Sequence, residues 1–207
     1  MNNFDLVVIG GGSGGVRAAR IAALNGAKVA LCEKDRMGGT CVIRGCIPKK
    51  LLFYASQYKD IFNNSSFYGW NVKNISKNFI TLIKNKNKEL KRLENIYNNN
   101  ARKAGVKIFY EEAFLESDKI VKVGKDKLFA KKIIIATGGR PKELNIEGAK
   151  YSINSDQIME LTKIPKLLTI IGSGYIAIEF AFIFSQLGSQ VNLICRKDLL
   201  RGFDRDL

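Results

Sequence analysis

Histidine is missing altogether from the 207 residues. Without an imidazole a zinc site has too few close ligands, so no metal is expected, and the usual acid–base side chain near neutral pH is gone. Long apolar runs are missing as well. None approaches the roughly 20 residues needed to span a bilayer. No basic leader precedes the apolar stretch 4–9, so a secretory signal is not expected and a cytoplasmic protein is. Cysteine is scarce, with four in all: Cys32, Cys41, Cys46 and Cys195. In a reducing compartment a close cysteine pair points to redox or metal chemistry, not to a structural framework. Acid is in short supply too, 19 Asp and Glu against 34 Lys and Arg, a formal charge of +15. Such an excess can mark a binder of nucleic acid or acidic lipid. Here the lysines are scattered among Asn and Ile and no recognition motif accompanies them, so neither nucleic acid nor membrane is expected as a partner.

What is present is a repeated plan. Residues 4–9 read as a short buried strand, 10–15 as a glycine turn, and 16–25 have helical spacing closed by Gly26. A second strand, 28–33, completes a βαβ unit. Pro48 is expected to start a helix through about residue 62, with Leu51, Leu52, Ala55, Tyr58 and Ile61 on its buried side. A polar loop leads to an amphipathic helix over 79–104, marked by Leu82, Ile83, Leu90, Leu93 and Tyr97, whose lysines form a solvated face. Short strands are predicted at 106–110, 120–123 and 127–130, and a buried one at 133–136. A loop-like stretch, 150–165, separates this from a second strand, turn, helix and strand beginning at 167. The fold class is therefore α/β. A dinucleotide-binding domain is expected over 1–150, and the start of another over 151–207.

The first turn reads Gly10-Gly11-Gly12-Ser13-Gly14-Gly15. Its glycines permit a tight turn, close approach of a pyrophosphate to the backbone, and close helix–strand packing. The helix N-terminus behind it favours phosphate. Glu33, at the end of the next strand, stands where a ribose hydroxyl needs an acceptor. Then follows Gly38-Gly39-Thr40-Cys41-Val42-Ile43-Arg44-Gly45-Cys46-Ile47-Pro48-Lys49-Lys50. Cysteines this close can form a readily reducible disulfide, and the mouth of a helix and Lys49 both favour a thiolate. Two inert core cysteines, or half a metal site, are the alternatives.

This cysteine segment closely resembles the redox-active motif of the flavoprotein disulfide reductases, the class I pyridine nucleotide-disulfide oxidoreductases, with glutathione, trypanothione and mercuric reductases and lipoamide dehydrogenase among them. The resemblance covers nearly the whole chain and is weakest over 63–78. It implies FAD in the first site, in a three-layer FAD domain, with contacts from Gly10, Gly12, Ser13, Gly14, Gly15, Glu33, Thr40, Cys41 and Ala113. Residues 135–141, with Ala136, Thr137 and Gly138, match a second FAD signature. Cys46 would be the thiol against the flavin and Cys41 the one that attacks the substrate disulfide. Lys49 would lie near the flavin and pair with Glu179.

The second turn, Gly172-Ser173-Gly174-Tyr175-Ile176-Ala177, precedes Glu179. An NAD site would place an acid at the end of the following strand; Arg196 stands there instead, with Arg201 close behind, and two guanidinium groups suit the 2′-phosphate of NADPH. Tyr175 resembles the family's tyrosine that covers the flavin. Among family members the chain most resembles the glutathione-reducing branch: Ser13, Arg20 and Tyr97 match its substrate contacts, and Arg17 with Arg20 gives a basic face suited to an anionic tripeptide. The implied reaction passes electrons from NADPH through FAD and the Cys41–Cys46 disulfide to glutathione disulfide. In the family the proton donor is a histidine from the partner subunit's C-terminal interface domain, in a homodimer. That dimerisation domain and most of the NADPH domain are expected to lie outside these residues, so the chain alone is expected to lack turnover. Another NADPH-dependent disulfide reductase, or a non-catalytic flavin-binding remnant, are the alternatives.

Overall fold

A computed structural model describes residues 2–196, 198–204 and 206. By packing, residues 1–48 with 87–151 form one compact unit, and 49–86 with 152–207 form a second. The division passes through two helices, α2 (Cys46–Asn63) and α3 (Phe79–Lys103).

The first unit is built on β1 (Asn2–Ile9), α1 (Ser13–Leu24) and β2 (Val29–Cys32), followed after α3 by β3 (Lys107–Phe109), β4 (Ala113–Leu115), β5 (Ile120–Val123) and β6 (Asp126–Ile135). Its six strands run in the order β3-β2-β1-β6-β5-β4. β1, β2, β3 and β6 pair in parallel, while β4 and β5 return antiparallel as a meander. Alternation along β1 and β2 sorts the core into two faces. Leu6, Val8, Val29 and Leu31 meet Val16 and Ala19 of α1 and Ala101 of α3. Val7, Ile9, Ala30 and Cys32 meet Val121 and Val123 of the meander. Helices on one face and a meander on the other make three layers. Each fully buried Val, Leu or Ile here contributes about 1.5–3 kcal/mol relative to exposure.

The second unit pairs β7 (Leu167–Ile171) in parallel with β8 (Gln190–Ile194) across α4 (Tyr175–Gln186). Leu52, Phe79 and Ile83 pack in one cluster with Phe180, Ile183 and Phe184. That is why 49–86 group with the C-terminal residues.

Several sequence expectations need correction. α1 begins at Ser13, three residues before the expected start, and α2 begins at Cys46 rather than Pro48. Leu52 is buried as expected, but Tyr58 and Ile61 are exposed, and Ser56 is the other fully buried residue on that part of α2. Residues 126–135 form one continuous strand, held along its length by β1, where two were predicted. Ile134 and Ile135 are exposed, not buried: β5 pairs only as far as Phe129, so the end of β6 has a ladder on one side alone. The short strand β4 was missed. Two 3₁₀ turns, Ala149–Tyr151 and Gln157–Glu160, interrupt the expected loop. Finally, not every lysine of α3 is solvated. Lys86 is 1% exposed, its Nζ donating to the Met159 carbonyl at 2.6 Å with Glu160 at 3.8 Å.

Candidate functional site

In the first unit the glycine turn is bound tightly to its surroundings. Gly10 N–H donates to the Cys32 carbonyl at 2.8 Å, and Ala136 N–H donates to the Ile9 carbonyl at 2.7 Å. These bonds bring the turn and the start of the segment 136–141 together at the ends of β1, β2 and β6. A Cβ at Gly10 would run into the Ala136 carbonyl oxygen, and one at Gly15 into the Gly10 carbonyl oxygen. α1 starts at the Gly12 cap with no side-chain capping bond and no acid in its first turn. Space beside Gly14 is open. The N-terminal N–H groups thus face an uncrowded mouth, the arrangement that receives an anion.

Glu33 is bonded inside the protein through both of its oxygens. Its Oε2 accepts from Gly11 N–H at 2.6 Å and its Oε1 from Asp35 N–H at 2.8 Å. Each oxygen keeps a further lone pair for a ribose hydroxyl. Asp35 in turn pairs with Arg44. A chain of contacts therefore runs from the nucleotide turn through Glu33 and Asp35 to the cysteine segment.

That segment is a π-helical turn, Thr40–Arg44, with Thr40 exposed at its start. Cys41 is half-buried and Cys46 exposed, both as free thiols. Burial, and then a hydrogen bond with the Cys46 thiol, push the Cys41 thiol up to about 11. An attacking thiol needs exposure and a lowered pKa. The thiol with the raised pKa is thus the one expected to attack, and the division of roles rests on the motif match alone.

Two supports were not picked out from the sequence. Gly38 N–H donates to the Gly11 carbonyl at 2.8 Å, and a Cβ at Gly39, whose φ is +58°, would stand 2.7 Å from the Gly12 Cα. The glycine pair is therefore a second wall of the nucleotide turn; adjacent glycines after a strand were the available signal. Arg36 reaches Glu94 of α3 at 3.0 Å and fixes the approach to that wall. Nothing in local spacing announces that pair.

Of the other named residues, Ser13 is exposed at the first position of α1. Arg20 is half-buried on the same helix, with its Nε buried and unpartnered. Tyr97 packs against the cluster that holds Val16 and Ala19. Thr137 and Gly138 are exposed beyond β6. Ala113 packs, half-buried, against the cluster containing Ile9 and Cys32.

In the second unit, Lys49 Nζ lies 2.5 Å from Glu179 Oε1, an ion pair between residues 130 apart in sequence. Gly172 N–H donates to the Ile194 carbonyl at 3.0 Å, tying the second turn to the end of β8. Leu200 N–H donates to the Ser173 carbonyl at 2.8 Å. Arg196 and Arg201, both exposed, therefore lie on a segment bonded back to the second turn. α4 also starts without a side-chain cap or an acid in its first turn, with Tyr175 and Ile176 exposed there.

Residues 4–207 match the pyridine nucleotide-disulphide oxidoreductase family. The chain belongs to it. It is 47% identical over 206 residues to a glutathione reductase of Nostoc sp., covering 99% of this chain and 45% of the relative. It is 48% identical over 206 residues to a glutathione reductase of Burkholderia cepacia, covering 99% and 46%. To the chloroplastic/mitochondrial glutathione reductase of Pisum sativum it is 44% identical over 214 residues, covering 98% and 39%. The chain spans less than half the length of these curated relatives. Members of this oxidoreductase family use FAD and NADPH. The uncapped α1 and α4, each behind a glycine turn, fit the pyrophosphates of two such cofactors. Among the described residues, no helix is long and apolar enough to cross a membrane.

Proposed function

We propose that this chain carries the dithiol and dinucleotide-binding part of an NADPH-dependent glutathione-disulfide reductase. Residues 1–150 take FAD and residues 151–207 contribute to the NADPH site. The observation that carries the reading is the Cys41–Cys46 thiol pair, linked through Arg44, Asp35 and Glu33 to an open glycine turn.

FAD, when bound, supplies two-electron transfer between the nicotinamide and the dithiol. The chain's own residues do the rest. Gly10–Gly15 and the α1 N-terminus hold the flavin's pyrophosphate, and Glu33 accepts from its ribose. Lys49, held by Glu179, is the cation assigned to the flavin side. Arg196 and Arg201 bind the 2′-phosphate of NADPH. The Cys41 thiolate attacks one sulfur of glutathione disulfide, forming a mixed disulfide and expelling one glutathione thiolate, which takes up a proton. The Cys46 thiolate then attacks the Cys41 sulfur, expels the second glutathione and closes the Cys41–Cys46 disulfide. Two electrons from NADPH would return the disulfide to the dithiol, so that one glutathione disulfide, one NADPH and one proton give two glutathiones and NADP⁺. Ser13, Arg20 and Tyr97 are the substrate contacts. A cytoplasmic homodimer goes with this reading.

Mass spectrometry of the chain exposed to oxidised glutathione tests it. In Cys46→Ser the adduct should accumulate on Cys41, because nothing resolves it. In Cys41→Ser, labelling of Cys46 should be much slower. An adduct formed on Cys46 before Cys41 would reverse the assigned roles.

A further inference from the structure

Away from both glycine turns, the second unit encloses a cavity of about 560 Å³ between the second half of α2, residues 75–82 and the end of α4. That volume lies within the range of small-molecule sites, roughly 300–1,000 Å³. Its floor is apolar and partly aromatic, from Phe62, Phe79, Leu82 and Leu187. Its charge is one-sided: Lys59 and Lys77 line it and, among the described residues, no carboxylate does. Lys77 donates to the Leu187 carbonyl at the end of α4, which leaves Lys59 as the cation with no structural task of that kind. One polar atom is unmatched. Gln186 lines the cavity and donates through Nε2 to Asp60 at 2.9 Å, while its Oε1 is buried with no partner. A buried acceptor left without a donor is costly and rare.

We propose that this cavity binds a small aromatic anion carrying one hydrogen-bond donor. The ring lies on the apolar floor, the donor satisfies Gln186 Oε1, and the negative group meets Lys59. The three requirements are separable with three probes. Indole-3-acetate has ring, N–H and carboxylate; naphthalene-1-acetate lacks the N–H; indole lacks the carboxylate.

Calorimetric titration of the 207-residue chain should rank indole-3-acetate first. Lys59→Glu, at an exposed position, should weaken both acids about tenfold and hardly change indole, the loss expected for a charge-assisted contact. Gln186→Leu should weaken indole-3-acetate several-fold and leave naphthalene-1-acetate unchanged. Circular dichroism and melting check that each variant is folded. Equal affinity for the three probes, or an unchanged affinity of both acids for folded Lys59→Glu, overturns the proposal. So does the absence of saturable binding to the parent chain.

Discussion

The two glycine turns follow one plan and are finished differently. At the first, the third glycine, Gly15, lies so close to the Gly10 carbonyl that no Cβ fits. At the second, Ala177 holds that position, and its Cβ would stand 3.6 Å from one added at Gly172. The strand after the first turn is followed directly by Glu33, whose carboxylate is bonded back to Gly11. The strand after the second ends toward Arg196, and the chain is bonded back to Ser173 through Leu200. Even the cysteines differ: Cys32, the last residue of β2, is buried, while Cys195, just after β8, is exposed. Helix-to-strand distance decides whether the third glycine is obligatory. The residues that follow the strands offer opposite charge, an acid after the first turn and arginines after the second.

The largest expected effect concerns that strand end. Replacing Arg196 and Arg201 together by Ala should remove the two charge-assisted contacts proposed for the 2′-phosphate, about 1.5–3 kcal/mol each. NADPH affinity should fall by orders of magnitude and NADH affinity hardly at all. Calorimetry with both cofactors reads this, and equal losses would mean that the arginines support the fold instead.

Next comes the third glycine. Gly15→Ala should destabilise the first unit by about 1–3 kcal/mol through overpacking against a carbonyl that cannot move. Ala177→Gly should cost only about 1 kcal/mol, the helix-propensity difference. Urea denaturation compares them; a smaller effect at Gly15 would erase the contrast in packing.

The smallest effects are those of the thiols. Burial pushes Cys32 up to about 12, so at pH 8 an alkylating reagent should label Cys195 and Cys46 and leave Cys32 intact in the folded chain. Above pH 9 the unfolded chain releases these thiol protons while the folded chain keeps them on Cys41 and Cys32. Their contribution to stability is therefore whole below pH 9 and is lost as pH rises toward about 11 for Cys41 and about 12 for Cys32. Cys41→Ser should flatten the earlier part of that decline in pH-dependent melts. An undiminished decline would locate it elsewhere.

Much of the first site was legible because its rules are short-range. A strand, a glycine turn and a helix start need only neighbours in sequence, and a carboxylate roughly 20 residues on follows from the length of a βαβ unit. The short apolar run that ends at Ile9 was likewise enough to indicate a buried strand. Helical periodicity was less informative in α2. It identifies an apolar stripe but not how far a partner extends along it, so Tyr58 and Ile61 were assigned to a core that stops short of them.

By itself, then, the sequence determined the two strand–turn–helix units, the cysteine pair at the mouth of α2, and the acid and the bases that follow the two turns. Tertiary structure decided what required distant partners. It buried Lys86 against the Met159 carbonyl, walled the first turn with Gly38 and Gly39, and tied Arg36 to Glu94. It also grouped residues 49–86 with the C-terminal segment. Local conformation follows steric and capping rules that operate within a few residues. Which apolar face, cation or carbonyl meets which is settled only when the chain packs.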